Sequence, residues 1–192
     1  QYGSGTFCSA HALDFSEAGG LKAYVATGYN TATGEVTLTR VMTAKPGEGL
    51  FLKGKPGDYE VPTLKNPESC MQNLLVGTLR NTIVNATSDD GLSVNYEYTA
   101  KGEDTAPLFY RINDNVTLEA GKAYLQLPKA WIGTGATRAI GLHFDDEEME
   151  FGDEEQPADV AAPAVIYDLQ GRRVANPTKG VFIVNGKKVV FK

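Results

Sequence analysis

Two cysteines, two histidines and one tryptophan are all that this 192-residue chain offers of those types, and each shortage excludes something. Cys8 and Cys70 are too few for a disulfide scaffold and wrongly spaced for a zinc site. In an exported protein they have two readings, one bridge or two buried thiols. A bridge closing so long a loop would contribute about 4 kcal/mol at most. His11 and His143 lie near carboxylates in sequence, Asp14 for the first and Asp145 and Asp146 for the second. No Gly-x-Ser-x-Gly, phosphate loop, His-Glu-x-x-His or complete calcium loop accompanies them. The sequence therefore assigns no catalytic residue, no metal ligand and no cofactor. Apolar runs are short as well. None approaches the roughly 18 residues that a spanning helix needs, so no membrane-spanning segment is expected. The chain opens at Gln1 with neither an initiator Met nor a charged-then-apolar leader, which reads as a mature or excised segment.

Concentrated positive charge is also missing from the body. The net charge of −6 hides a near-neutral stretch over residues 1–144, nine carboxylates and no basic group between Asp145 and Asp159, and a basic tail after residue 160. A near-neutral body argues against nucleic acid as a partner. Like-charge repulsion and a composition that leaves little to bury mark 145–162 as an acidic linker. The expected organisation is a body over 1–144, which a break near 78–92 would divide into two sub-domains, then the linker, then a tail over 163–192.

Strand signals fill what remains. Leu21–Tyr29 and Glu35–Val41 alternate in hydrophobicity around the turn Asn30-Thr-Ala-Thr-Gly34. Further strands are expected near 49–53, 57–61, 73–77, 92–100, 107–112, 122–127 and 138–144. No stretch longer than about ten residues carries a 3.6-residue period, so helix is confined to single turns near 13–18 or 128–133. The expected class is all-β: an antiparallel β-sandwich, as one pair of sheets or two small sandwiches, followed by a short C-terminal β-hairpin unit. In that unit Ala164–Leu169 reads as a strand. Val181–Val184 and Lys187–Phe191 pair through Asn185-Gly186, a strong two-residue hairpin signal. Aromatic residues are plentiful, with nine Tyr and eight Phe, and most alternate into strands where packing explains them. Trp131, in Pro128-Lys-Ala-Trp-Ile-Gly-Thr-Gly135, is flanked by loop residues and is the aromatic side chain singled out for ligand contact.

The tail carries a resemblance. Ile166-Tyr-Asp-Leu-Gln-Gly-Arg-Arg-Val174, Lys179-Gly-Val-Phe182 and the closing Gly186-Lys-Lys-Val-Val-Phe-Lys192 resemble the end of the C-terminal sorting domains of the type IX (Por) secretion system of Bacteroidetes. The residues that match that pattern are Tyr167, Asp168, Gly171, Arg172, Gly180, Phe182 and Lys192. Phe182 stands where Tyr is usual, and the acidic linker stands where the first strands of a full sorting domain would be. The body, through Ala12-Leu-Asp-Phe15, Gly19–Tyr24, Gly49–Gly54 and Gly121–Pro128, resembles β-rich modules that precede such tails in adhesin-like surface proteins of gut Bacteroidetes. Asp104-Thr105-Ala106 is similar to their O-glycosylation motif, with Thr105 as acceptor. The resemblance implies export, with secretion machinery and a surface protein or glycan as partners. The expected function is a non-enzymatic exported or cell-surface protein of the adhesion or assembly type. The alternative is a carbohydrate-binding module of a larger glycan-acquisition protein.

Overall fold

Alternation along Leu50–Lys53 already shows how the body is built: Leu50 is buried on one side of its strand and Phe51 on the other. The computed structural model describes residues 3–65, 67, 72–102, 105–132 and 138–146, together with the strand backbone at 166–167, 180–184 and 187–191. The chain divides into two units, Gln1–Phe151 and Gly152–Lys192. The body strands are β1 (Ser4–Phe7), β2 (Leu13–Asp14), β3 (Lys22–Asn30), β4 (Glu35–Val41), β5 (Thr43–Ala44), β6 (Leu50–Lys53) and β7 (Leu75–Thr78). They continue as β8 (Thr82–Asn85), β9 (Ser93–Thr99), β10 (Leu108–Arg111), β11 (Asn115–Leu118), β12 (Lys122–Pro128) and β13 (Ala139–Phe144), with one helical turn, α1 (Lys129–Ile132). Among the described residues no helix is long and apolar enough to cross a membrane.

The class is all-β. Nine strands form one sheet in the order β1-β6-β3-β4-β13-β10-β9-β12-β7, and that sheet curls into a nearly closed barrel. The expected sandwich is thereby specified further: one sheet wraps around its own core, and β13 runs parallel to β4 while the other named pairs are antiparallel. Strands from both sides of 78–92 enter this single sheet. Inside it, Tyr24, Leu38, Phe51, Tyr96, Phe109, Leu125, Leu127 and Ile140 are buried together. Two short ribbons cover parts of the sheet's outer face. The β2–β5 ribbon brings Leu13 and Ala44 to Ala23 and Val25, and the β8–β11 ribbon brings Val84 and Leu118 to Ile112. A curled sheet with local covers buries both faces of β3 without needing a second sheet, which is why Ala23, Tyr24, Val25 and Ala26 are all inaccessible.

Local chemistry sets the curvature. At the β3–β4 turn, Asn30 Oδ1 accepts from Ala32 N (2.9 Å) and Thr33 N (3.3 Å), and Gly34 takes φ +73°, a conformation strained for residues with a Cβ. A register shift between Ala26 and Gly28 bends β3. The sheet's two ends approach each other where Ala123 N donates to Thr6 Oγ1 (3.3 Å) and Cys8 N to Gly121 O (2.9 Å). Asn73 ties the seam on its other side: its Oδ1 accepts from Ala26 N (3.2 Å) and Leu75 N (2.9 Å), and its Nδ2 donates to Gly49 O (2.8 Å). The segment 57–61, expected as a strand, is instead a loop. Both edges of β6 are already taken by β1 and β3, and Tyr59 OH donates to Lys55 O (2.6 Å), folding the loop on itself. The segment 13–18 begins as β2 and turns, so α1 is the single helical turn among the described residues.

Tyr96 supplies a test of the barrel interior. Its ring is fully buried, and its hydroxyl has no hydrogen-bond partner among the described residues. Burial pushes that hydroxyl from 10.0 up to about 12, with nearby Arg111 offsetting part of the rise. The folded state thus holds a proton that the unfolded chain releases, and the stability this gives is lost as pH climbs from about 10 to about 12. Tyr96→Phe should raise stability by about 1 kcal/mol at pH 8, since it removes an unpaired buried group. It should also soften the alkaline loss, which Tyr98 and Tyr124 share because burial raises them too. Urea unfolding at pH 8 and pH 11 checks both; a less stable variant at pH 8 would show that the hydroxyl is bonded.

The tail forms its own three-stranded antiparallel sheet from β14 (Ile166–Tyr167), β15 (Gly180–Val184) and β16 (Lys187–Phe191), in that order. Val184 pairs with Lys187, so β15 turns into β16 across two residues, where Asn-Gly was expected to turn.

Candidate functional site

One end of the barrel gathers the ends of six strands: the starts of β1, β3 and β10 and the finishes of β6, β9 and β13. A cavity of about 830 Å³ opens there, within the size range of small-molecule sites, and barrel mouths commonly hold such sites. Phe51, Tyr98, Leu108, Leu142 and Phe144 wall it, and Lys22, Lys53 and Lys55 line its rim. Alternation places the aromatic residues inward. Phe51 meets Tyr98 edge to face at 5.0 Å, and Tyr24 meets Phe144 edge to face at 4.9 Å.

The rim charges are organised. Lys22 and Lys53 are direct partners across β3 and β6. Lys53 Nζ lies 4.1 Å from the centroid of the Phe144 ring, a cation–π contact. Lys22 Nζ lies 3.2 Å from Asp146 Oδ2, which also accepts from Tyr24 OH at 3.1 Å. Asp146 Oδ1 is buried with no hydrogen-bond partner among the described residues. Asp145 Oδ1 accepts from Arg40 N (3.3 Å), so the first two residues read as linker are tied to the body. Ser4 Oγ and Tyr98 OH bond to each other at 2.8 Å; burial pushes the Tyr98 hydroxyl up and the Ser4 bond offsets part of that.

A second, more polar hollow of about 440 Å³ lies beside the β8–β11 ribbon, lined by Asp89, Asp90, Asn95, Tyr124 and Gln126 among others. Asn95 is buried; its Nδ2 donates to Asn85 O, and its Oδ1 accepts from Gln126 Nε2, both at 3.0 Å. The Ser88 hydroxyl and the Leu92 amide hold the Asp90 carboxyl below its usual range.

The residues singled out from sequence fall elsewhere. Trp131 sits half-buried on α1 and lines neither hollow, while its neighbour Ile132 packs on the core. His11 is exposed in a bend and His143 half-buried on β13 opposite Thr37, and neither lines either hollow. Among the described residues no group of three or more His, Cys, Asp or Glu could hold a metal ion. Cys8 is a buried free thiol under the seam, its acidity weakened by burial. Cys70, the other half of the bridge considered from sequence, lies outside the described residues. Thr105 is exposed in the bend before β10. Of the tail motif, Tyr167 lies on β14 and Gly180 and Phe182 on β15; Asp168, Gly171, Arg172 and Lys192 lie outside the described residues. The lysine rim went unread because its signal is a register: a Lys at one end of each of two strands becomes a pair only when β3 lies against β6. Compared with known proteins, the chain matches no family model, no curated protein and no solved structure.

Proposed function

We propose that this chain is a non-enzymatic exported module of the adhesion or assembly type, and that the lysine-rimmed barrel mouth is its binding face. The observation that carries the reading is the convergence of six strand ends on one aromatic-walled cavity with three lysines on its rim. Neither histidine lines it, so the reading rests on its walls and charge, which suit holding a ligand. The tail supports export: β14–β16 run through the segment whose motifs resemble a type IX sorting domain, in a unit separate from the body. Beads coated with the chain should retain intact bacterial cells saturably. The charge reversals Lys53→Glu and Lys55→Glu together should cut that retention about tenfold, the size expected when charge-assisted contacts become repulsive.

The polar hollow favours the second reading, a carbohydrate-binding module. Paired amides, two carboxylates and the Tyr124 ring suit sugar hydroxyls and a pyranose face. A glycan array should stay blank under the first reading. Array binding abolished by Tyr124→Ala, with cell retention unchanged by the lysine reversals, would replace the first reading with the second.

A further inference from the structure

We infer that the barrel carries a second binding surface, a cleft along the open edge of β1 that takes an extended peptide segment of a partner protein bearing a basic side chain. This surface is distinct from the mouth and uses none of its lysines. The first ground is an unmatched edge. β1 ends the strand order of the nine-stranded sheet, so β6 holds one of its edges and no strand among the described residues holds the other. Gly54 N donates to Gly3 O at 2.8 Å, which turns the main-chain groups of Gly3 toward β6 and, by alternation, those of Ser4 and Thr6 away from it. β9 shows a similar pattern: β10 pairs with it as far as Thr99, whereas β12 leaves it at Tyr96. A cleft of about 480 Å³ lies where the two meet, lined by Ser4, Gly5 and Thr6 of β1 and by Glu97 and Tyr98 of β9. β7, at the far end of the strand order, differs because Val76 there is bridged by Glu48.

The second ground is what spans the cleft. Ser4 Oγ and Tyr98 OH bond to each other at 2.8 Å, and Ala123 N donates to Thr6 Oγ1 at 3.3 Å. Side-chain hydroxyls thus stand where a ladder of main-chain bonds would run, and the main chain takes over further along, where Cys8 N donates to Gly121 O at 2.9 Å. An added strand exchanges the two hydroxyl bonds for main-chain bonds to Ser4 and Thr6, which is strand addition at a sheet edge. Access is open: a Cβ added at Gly5 would meet nothing within 4 Å. Ser4–Phe7 holds neither a charged residue nor a proline, the residues that commonly blunt such an edge. The occupant's charge follows from the lining, where Glu97 and Glu119 outnumber Lys122 and favour a basic side chain. Leu118 and Ala123 also line the cleft and suit the apolar side chains that alternate with it along a strand.

The peptide acetyl-Thr-Val-Lys-Val-Thr-Val-Lys-amide, titrated into the full chain and followed by NMR, should bind with Kd below about 1 mM. Hydrogen exchange at the Ser4 and Thr6 amides should slow on binding, while Gly5 and Phe7, which face β6, change little. The same peptide N-methylated throughout keeps its side chains but loses its main-chain donors, and should bind about tenfold more weakly. Glutamate in place of its lysines should weaken binding severalfold, and Glu97→Gln with Glu119→Gln in the chain should erase that preference. Thr6→Pro removes the outward amide and spares the bonds to β6, so it should weaken binding about tenfold. Thr6→Val keeps the amide and should bind as the unsubstituted chain does. If the N-methylated peptide binds as well as its parent, or exchange at Ser4 and Thr6 is unchanged, strand addition is wrong, and both readings stand even if Thr6→Pro does not fold. If the glutamate peptide binds as well, the basic occupant is wrong. Self-association that protects the Ser4 and Thr6 amides without peptide would make the occupant a second copy and overturn the assignment to a partner. Absence of any peptide binding overturns the cleft and leaves cell retention by the barrel mouth as it was.

Discussion

Phe51→Ala should lower the stability of the body by about 3–5 kcal/mol, the cost of emptying an aromatic site in a well-packed core. Phe51 is fully buried and is the ring at which the interior aromatic residues meet. Tyr98 lies 5.0 Å from it edge to face, Phe144 5.8 Å and Phe109 6.3 Å, so its removal strips three rings of a partner at once. Those contacts add about 0.5–1.5 kcal/mol per aromatic pair to the area term. Relaxation is restricted because β6 is hydrogen-bonded on both edges, to β1 and to β3, and cannot slide inward to fill the space. A domain with the usual 5–15 kcal/mol in hand would survive the change with a clearly lowered transition. Urea unfolding followed by Trp131 fluorescence reads it. Phe51→Leu, which keeps most of the volume, should cost less than half as much. Equal losses for Leu and Ala would mean that the edge-to-face geometry, not the filled volume, holds the mouth together.

How much of this could be read from sequence depends on the range of the contact involved. β3 and β4 were legible because their alternation and the Asn30–Gly34 turn are local, and the turn's amide-capping bonds are made by the residue that signalled it. The tail hairpin was legible from its sequence as well, since Val184 pairs with Lys187, the two residues that flank the Asn-Gly signal. β1 was not legible: Ser-Gly-Thr-Phe has one large apolar residue, and it is a strand because β6 offers it an edge. Alternation also says that a strand has a buried face without saying what covers it. The parallel pairing of Leu38 with Phe144 joins segments more than 100 residues apart, and no local pattern encodes it. That pairing turns a would-be sandwich into a barrel and sets Phe144 at the mouth beside Lys53. The site was hidden for the same reason. Trp131 drew attention by residue type and loop context, whereas the lysines that line the cavity gain their meaning from strand register.

Gly77→Ala should cost about 3 kcal/mol, at the upper end for inserting one methyl into packed structure, because the neighbours that it strikes belong to the barrel seam. Gly77 is on β7, paired with Ala123 of β12. A Cβ at position 77 would stand 2.6 Å from the carbonyl oxygen of Gly47 and closer still to Cys8 Sγ. The two obstacles differ in kind. Cys8 Sγ is a side-chain atom that can be deleted, whereas the Gly47 carbonyl is backbone in a turn where Gly47 N is itself bonded to Ser9 O at 2.8 Å. A double-mutant cycle should separate them. Cys8→Ala alone leaves a cavity and should cost about 2 kcal/mol. In the Gly77→Ala background the added methyl enters the space that the sulfur leaves, so the second change should cost less than it does alone and the coupling should be favourable by about 1 kcal/mol. A residual loss should persist, because the carbonyl contact remains. Complete rescue would locate all of the strain at Cys8, while additive costs would mean that the seam opens at β7 whichever residue is changed. The expected intermediate result makes Gly77 a requirement of closure: β7 reaches the segment between β5 and β6 because position 77 has no side chain.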